Sequence, residues 1–148
     1  MSKAPDRHPD AIEQVELGGA PLSVRELVAV ARYRAKVSFS ADYYSRVDAS
    51  RIQVERFLSE NRLVYGVTTG FGENVNKPIS PNDADQLQLN IVRSHAVSVG
   101  EPLCREIVRA IQLMVLNSLG RGYSGVRRDV LDLIAALLNH DIDRKSVV

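Results

Sequence analysis

Tryptophan is absent from this chain, and its 148 residues include a single cysteine, Cys104. One cysteine makes no internal disulfide, so a reducing compartment suits the chain and cytoplasm is the expectation. A charge excess of either sign is missing as well: 19 basic against 18 acidic residues leave +1. Neither nucleic acid nor a membrane surface is therefore expected as a partner. No apolar run approaches the ~20 residues of a membrane span. The opening MSKAPDRHPD lacks an apolar signal core, and residues 1–11 read as a flexible polar tail. There is no internal repeat, low-complexity tract or clear linker, and no metal is assigned.

What is present is ordinary for a globular protein, with 45% apolar and 25% charged residues. A chain of this length is about one domain and buries roughly two thirds of its unfolded surface. Nothing in the sequence activates Cys104, which is expected as a small buried or half-buried helix residue.

Residues 12–22, IEQVELGGAPL, read as a short β-hairpin. Val15 and Leu17 alternate with polar neighbours, and Gly18-Gly19 suit a two-residue turn. Ser23 and Glu26 form a capping box that opens a first helix, with Leu27, Val30 and Ala31 as its apolar stripe. After a polar break, a second helix runs from about Asp42 to Ser59. Tyr44, Val47, Val54, Phe57 and Leu58 are its expected buried set. Ser80-Pro81-Asn82-Asp83 starts a third helix, with Ser80 as cap and Pro81 at the first position. It is expected to run to about Ser98, with Gly100 as its stop.

Leu87, Ile91 and His95 share one face of that helix. The fourth helix, about Pro102 to Leu119, is the most apolar. Ile107, Ile111, Met114, Val115 and Leu119 cover more than a narrow stripe, so deep burial is expected. Gly120 and Gly122 end it. Ser124 is expected to cap the fifth helix, whose seam is Val126, Val130, Leu133, Ile134, Leu137 and Leu138. The fold class is mainly α with a small β element in front. Five helices bury only part of such wide apolar faces against one another, so the last two are expected to have partners elsewhere.

The chemistry concentrates in VYGVTTGFG, Val64 to Gly72, where Gly66, Gly70 and Gly72 let a ligand approach the backbone closely. The spacing is neither G-x-G-x-x-G nor a phosphate loop. By pattern alone a structural turn and a catalytic loop stand level. A tyrosine in such a loop accepts a proton only if its pKa falls well below ~10, which takes nearby positive charge or donors. The plainer role for Tyr65 is an aromatic anchor with its hydroxyl at the surface. His95 is equally double: a satisfied core histidine, or a polar reader in a pocket wall.

Three blocks in order decide between these. YGVTTGFGE, LQLNIVRSHAVSVGEPL and LNSLGRGYSGVRRDVLDLIAALLN together resemble the aromatic amino acid ammonia-lyase and aminomutase family, over about Leu17 to Asn139. The resemblance implies the N-terminal helical part of the histidase-like (L-aspartase-like) fold, with residues 12–139 as the lyase region and the tyrosine loop at 64–79. It places Tyr65 where the family has the base that takes a proton from the substrate β-carbon. It places Gly72 where loop backbone lies near the substrate amine, and His95 where the substrate ring is read. Asn74 and Asn90 are given no role. His95 argues for histidine or tyrosine over phenylalanine as substrate. VYGVTTGFGE and VRSHA look like tyrosine aminomutases, whereas the third block looks like histidine lyases.

One element of the family is missing. Its electrophile is a methylidene-imidazolone that forms from an internal Ala-Ser-Gly, with no added cofactor, and no Ala-Ser-Gly occurs here. After Asn139 the chain reads HDIDRKSVV, without the family's proline, so residues 140–148 are expected to be a divergent or truncated end. The expectation is thus an N-terminal segment of an ammonia-lyase that converts histidine or tyrosine to the α,β-unsaturated acid, a homotetramer at full length and inactive as this chain alone. The alternatives are a segment of a 2,3-aminomutase, or a non-catalytic helical remnant that binds lyase subunits or a small aromatic ligand.

Overall fold

The structure, a computed structural model, describes residues 8–65, 67, 69 and 81–142, with the side chains of 81–85 outside it. Two compact units divide these residues: one of 8–51 and 102–142, the other of 52–65, 67, 69 and 81–101.

The first unit opens with a 3-10 turn, Pro9–Ala11, inside the expected tail. Strand β1, Gln14–Leu17, buries Val15 and Leu17 and exposes the alternate residues, as its pattern predicts. Its partner corrects the expected hairpin. β1 pairs in parallel with β2, Lys36–Phe39, in the register Gln14↔Lys36 to Leu17↔Phe39. Parallel neighbours need a crossover rather than a two-residue turn, and helix α1, Val24–Tyr33, lies between them in the chain. Gly18 serves a close approach instead. Its φ is +103°, and a Cβ there would meet the Tyr43 Cβ at 2.5 Å. β2 occupies the expected polar break; four residues with one buried valine are too short a pattern to stand out.

The capping box of α1 is present as read: the Glu26 N–H donates to Ser23 Oγ and the Ser23 N–H donates to Glu26 Oε2. Helix α2, Ala41–Ser59, buries Tyr43 and Val47 in this unit, whereas the expected Tyr44 is only half-buried. The Tyr43 hydroxyl donates to the Leu116 carbonyl at 2.7 Å, and its ring lies where a Cβ on Gly120 would come within 1.9 Å.

Helix α4, Arg105–Leu119, ends at Gly120 as expected but presents the other face to the core. Val108, Leu113 and Leu116 are buried, with Arg109 and Gln112 among them. Ile107, Ile111, Met114 and Val115, expected inside, are exposed. The reason is Arg109: its guanidinium donates to the carbonyls of Val30 and Leu138, both at 3.0 Å, and so fixes which face of α4 turns inward.

Helix α5, Arg128–Asn139, buries Leu131, Ala135 and Leu138 and exposes Val130 and Leu133 of the expected seam. Its N-cap is Arg127 rather than Ser124. At its far end the Asn139 amide accepts from the Val37 N–H at 2.7 Å and donates to the Val37 carbonyl at 2.8 Å. It thereby supplies β2 with the pairing that a third strand would give. Asp141, at φ +63°, turns the chain out of α5, and the Ile142 N–H donates back to Leu137. Cys104, expected as a buried or half-buried helix residue, is exposed at the N-cap of α4.

The second unit holds the end of α2 and helix α3, Pro81–His95. Pro81 stands at the first position as read, while the proposed Ser80 cap lies outside the described residues. In α2 the expected Leu58 is exposed. α3 stops at His95, short of the expected Ser98, and Gly100, at φ +129°, comes five residues later. No described helix is long and apolar enough to cross a membrane.

Candidate functional site

Tyr65 is positioned by the way α2 ends. Asn61 takes a left-handed φ of +51°, the Arg62 N–H donates to the Phe57 carbonyl at 2.9 Å, and the Asn61 N–H donates to Leu58 at 3.2 Å. This is the closure by which an asparagine, tolerant of positive φ, stops a helix. The Arg62 guanidinium then lies 5.0 Å over the Phe57 ring. Three residues on, the Val67 N–H donates to the Val64 carbonyl at 3.0 Å, and Tyr65 sits on the turn so closed. Tyr65 is 60% exposed.

Tyr43 and Tyr44 are poor candidates for a base. Burial pushes the Tyr43 hydroxyl strongly upward, and burial, with the hydrogen bond to Asp132 second, pushes Tyr44 up to about 12. Both are held as donors, to Leu116 and Asp132.

His95 is the last residue of α3 and is exposed, while Leu87 and Ile91 on its face are half-buried. The ring is nevertheless fixed. Its Nδ1 lies 2.8 Å from the Ile91 carbonyl and 3.1 Å from Ser94 Oγ, whose own proton goes to the same carbonyl at 3.0 Å. Both neighbours present lone pairs to Nδ1, so Nδ1 carries the proton. In the neutral ring Nε2 is then an acceptor, suited to a ligand that offers an N–H or O–H.

Gly72 and Asn74 lie outside the described residues, as does most of the loop from 66 to 79. Asn90 is exposed and accepts from Gln86 at 2.8 Å. Thr69 went unremarked in the sequence, yet it is 2% exposed, the one buried polar side chain of the second unit among the described residues. Its neighbours in sequence are glycine and threonine, which carry no signal of burial. Tyr65 and His95 thus fall in the same compact unit, one in the turn after α2 and one at the end of α3.

Two of the three residues of the electrophile's precursor recur at Ala49-Ser50-Arg51, inside α2, and at Tyr123-Ser124-Gly125, ahead of α5. Ser50 Oγ accepts from the Gly125 N–H at 2.8 Å, and Arg51 donates to the Gly125 carbonyl at 3.4 Å. At the first, arginine stands where glycine is required and the backbone is helical; at the second, tyrosine stands where alanine is required and the Gly125 N–H donates to Ser50 Oγ. These residues do not fit a methylidene-imidazolone.

A family model described as aromatic amino acid lyase matches residues 22–143, four residues past Asn139. The histidine ammonia-lyase of Symbiobacterium thermophilum is 46% identical over 128 residues, covering 86% of this chain and 25% of that protein. Among solved structures, the ergothionase of Treponema denticola aligns with a TM-score of 0.84 at 30% identity, over 89% of this chain and 27% of its own. The tyrosine aminomutase of Streptomyces globisporus aligns at 0.80 and 36% identity, over 87% and 24%. The chain spans about a quarter of the length of the curated relatives it matches.

Proposed function

Because this chain belongs to the aromatic amino acid lyase family, a family of carbon–nitrogen lyases, we propose that it is the base-bearing N-terminal quarter of an ammonia-lyase whose substrate is histidine. The observation that carries the substrate class is the His95 ring, held through Nδ1 with Nε2 left as an acceptor. Such an acceptor favours an imidazole N–H or a phenol O–H over a phenyl ring, because a ligand that shields it from water without offering a donor costs roughly 1–3 kcal/mol. Between imidazole and phenol, the 46% identity to a protein named histidine ammonia-lyase favours imidazole, and elimination over amine migration.

Tyr65 takes the proton from the substrate β-carbon. The electron pair so released forms the Cα–Cβ double bond as the amine leaves, giving urocanate and ammonia. Gly72 is assigned the place where loop backbone meets the substrate amine. A phenol base alone leaves the amine a poor leaving group, and this chain's own residues make no electrophile. The chain by itself is therefore inactive, and in the whole protein the assembly is a homotetramer that supplies the missing group.

The test is a chimera in which residues 22–142 replace the matching segment of the Symbiobacterium thermophilum enzyme. Ultraviolet detection of product from histidine and from tyrosine reads out the substrate. Urocanate in clear excess over coumarate is expected, while a preference for tyrosine would overturn the assignment. The isolated 148-residue chain should form neither product.

A further inference from the structure

Thr69 is a buried polar residue that the proposed reaction does not use. It is 2% exposed, whereas Tyr65 is 60% exposed and Val67 39%. Its backbone takes part in a β-bridge, so main chain and side chain are both held. Burying a hydroxyl costs free energy unless it is hydrogen-bonded, and valine has the same shape without that cost. A threonine enclosed to this degree marks a position where the hydroxyl, and not bulk alone, serves the loop.

Tyr65 stands between two fixed points. Upstream, α2 closes at Asn61: the Arg62 N–H donates to the Phe57 carbonyl at 2.9 Å, and the Arg62 guanidinium lies 5.0 Å over the Phe57 ring. Downstream, the turn closed by the Val67 N–H and the Val64 carbonyl leads two residues on to Thr69. Four residues of chain span at most roughly 14 Å, so a displaced Thr69 is felt directly at Tyr65. A catalytic group misplaced by about 1 Å loses on the order of 10²-fold in rate. We infer that Thr69 is a positioning residue: through its buried hydroxyl it holds the downstream end of the turn, and so sets where the Tyr65 phenol meets the substrate β-carbon. This deepens the proposed function and rests on it, since Thr69 acts only through the base.

The experiment uses the chimera described above, with Thr69→Val, Thr69→Ser and Tyr65→Phe. The constants kcat and KM for histidine are measured beside the melting temperature, and kcat is compared between histidine and histidine deuterated at the β-carbon. Thr69→Val should lower kcat about 10- to 100-fold and leave KM within a few-fold, because the base is misplaced while the ring is still read. Its deuterium isotope effect should exceed the parent's, because proton removal then limits the rate more fully. Thr69→Ser keeps the hydroxyl and should match the parent within a few-fold in kcat, with an unchanged isotope effect. A merely structural threonine would lower the active fraction, and so kcat, without moving the isotope effect.

Thr69→Val within a few-fold of the parent, an unchanged isotope effect in that variant, or a serine variant as slow as the valine one would each overturn the positioning role. Should the valine variant fail to fold, Thr69→Ala is read in the same way. An inactive Tyr65→Phe beside an unimpaired Thr69→Val overturns the positioning role and leaves the base standing, whereas a Tyr65→Phe chimera as active as its parent overturns both.

Discussion

Arg109 commits a guanidinium to an interior position, 2% exposed, and spends it on backbone rather than on a ligand. Its donors serve the carbonyls of Val30 in α1 and Leu138 in α5, and Asp141 approaches at 3.4 Å. Replacing it with leucine keeps the bulk and strands the Val30 carbonyl, at roughly 1–3 kcal/mol, whereas the Leu138 carbonyl keeps the Asp141 N–H. Arg109→Leu should therefore lower stability by roughly 1–3 kcal/mol, read as a fall in the urea midpoint. A midpoint within error of the parent would show that these contacts contribute nothing. The second residue-scale prediction concerns His95. In the active chimera, His95→Phe removes the acceptor at Nε2, and kcat/KM for histidine should drop about 10- to 100-fold as the imidazole N–H loses its partner. Unchanged discrimination between histidine and phenylalanine would remove His95 from the ring-reading role.

At the scale of elements, the β1–α1–β2 unit and α2 are joined through Tyr43, and small residues make the room. Gly18 and Gly120 flank it, and a Cβ on Gly120 would overlap its ring. Gly120→Ala should cost about 1–3 kcal/mol by overpacking, measured by thermal melting. An unchanged melting temperature would mean that the ring has another place to go. The helices are also tied by charge. Arg128 holds Asp48 below its ordinary value, and Arg32 does the same for Glu106. For Asp141, desolvation pushes upward, but the Arg105 hydrogen bond and the charges of Arg105, Arg34 and Arg109 outweigh it. Folded values lowered in this way stabilise the fold fully above the ordinary values of 3.8 and 4.5 and lose that contribution as pH falls below them. The urea midpoint should accordingly be level from neutral pH to about 5 and fall below about 4. Asp141→Asn should flatten that fall, and an identical pH profile in the variant would contradict it.

Helix existence was legible because long 3.6-residue periodicity is a strong signal, and the Ser23–Glu26 box marked one terminus. The face of α4 was not. The polar Arg109 and Gln112 lie on its buried side, so the apolar pattern of the sequence points to the exposed face instead. Strand partnership was hidden for a similar reason: Gly18-Gly19 look like a turn, and only the position of Tyr43 shows the close approach they serve. Tyr65 and His95 were legible only through the three motif blocks, because an exposed tyrosine and a helix-end histidine have no composition of their own.

At the scale of the whole molecule, the proposed lyase segment brings an exposed tyrosine and an oriented imidazole. The account's central claim is that Tyr65 is the base of this segment. It is tested most directly by the single-turnover rate of urocanate formation in the chimera with and without Tyr65→Phe, with circular dichroism confirming equal folding. Loss of a general base lowers the rate by about 10²- to 10⁴-fold, and a fall of that size is predicted. A Tyr65→Phe chimera that folds and turns over histidine within a few-fold of its parent would contradict the claim.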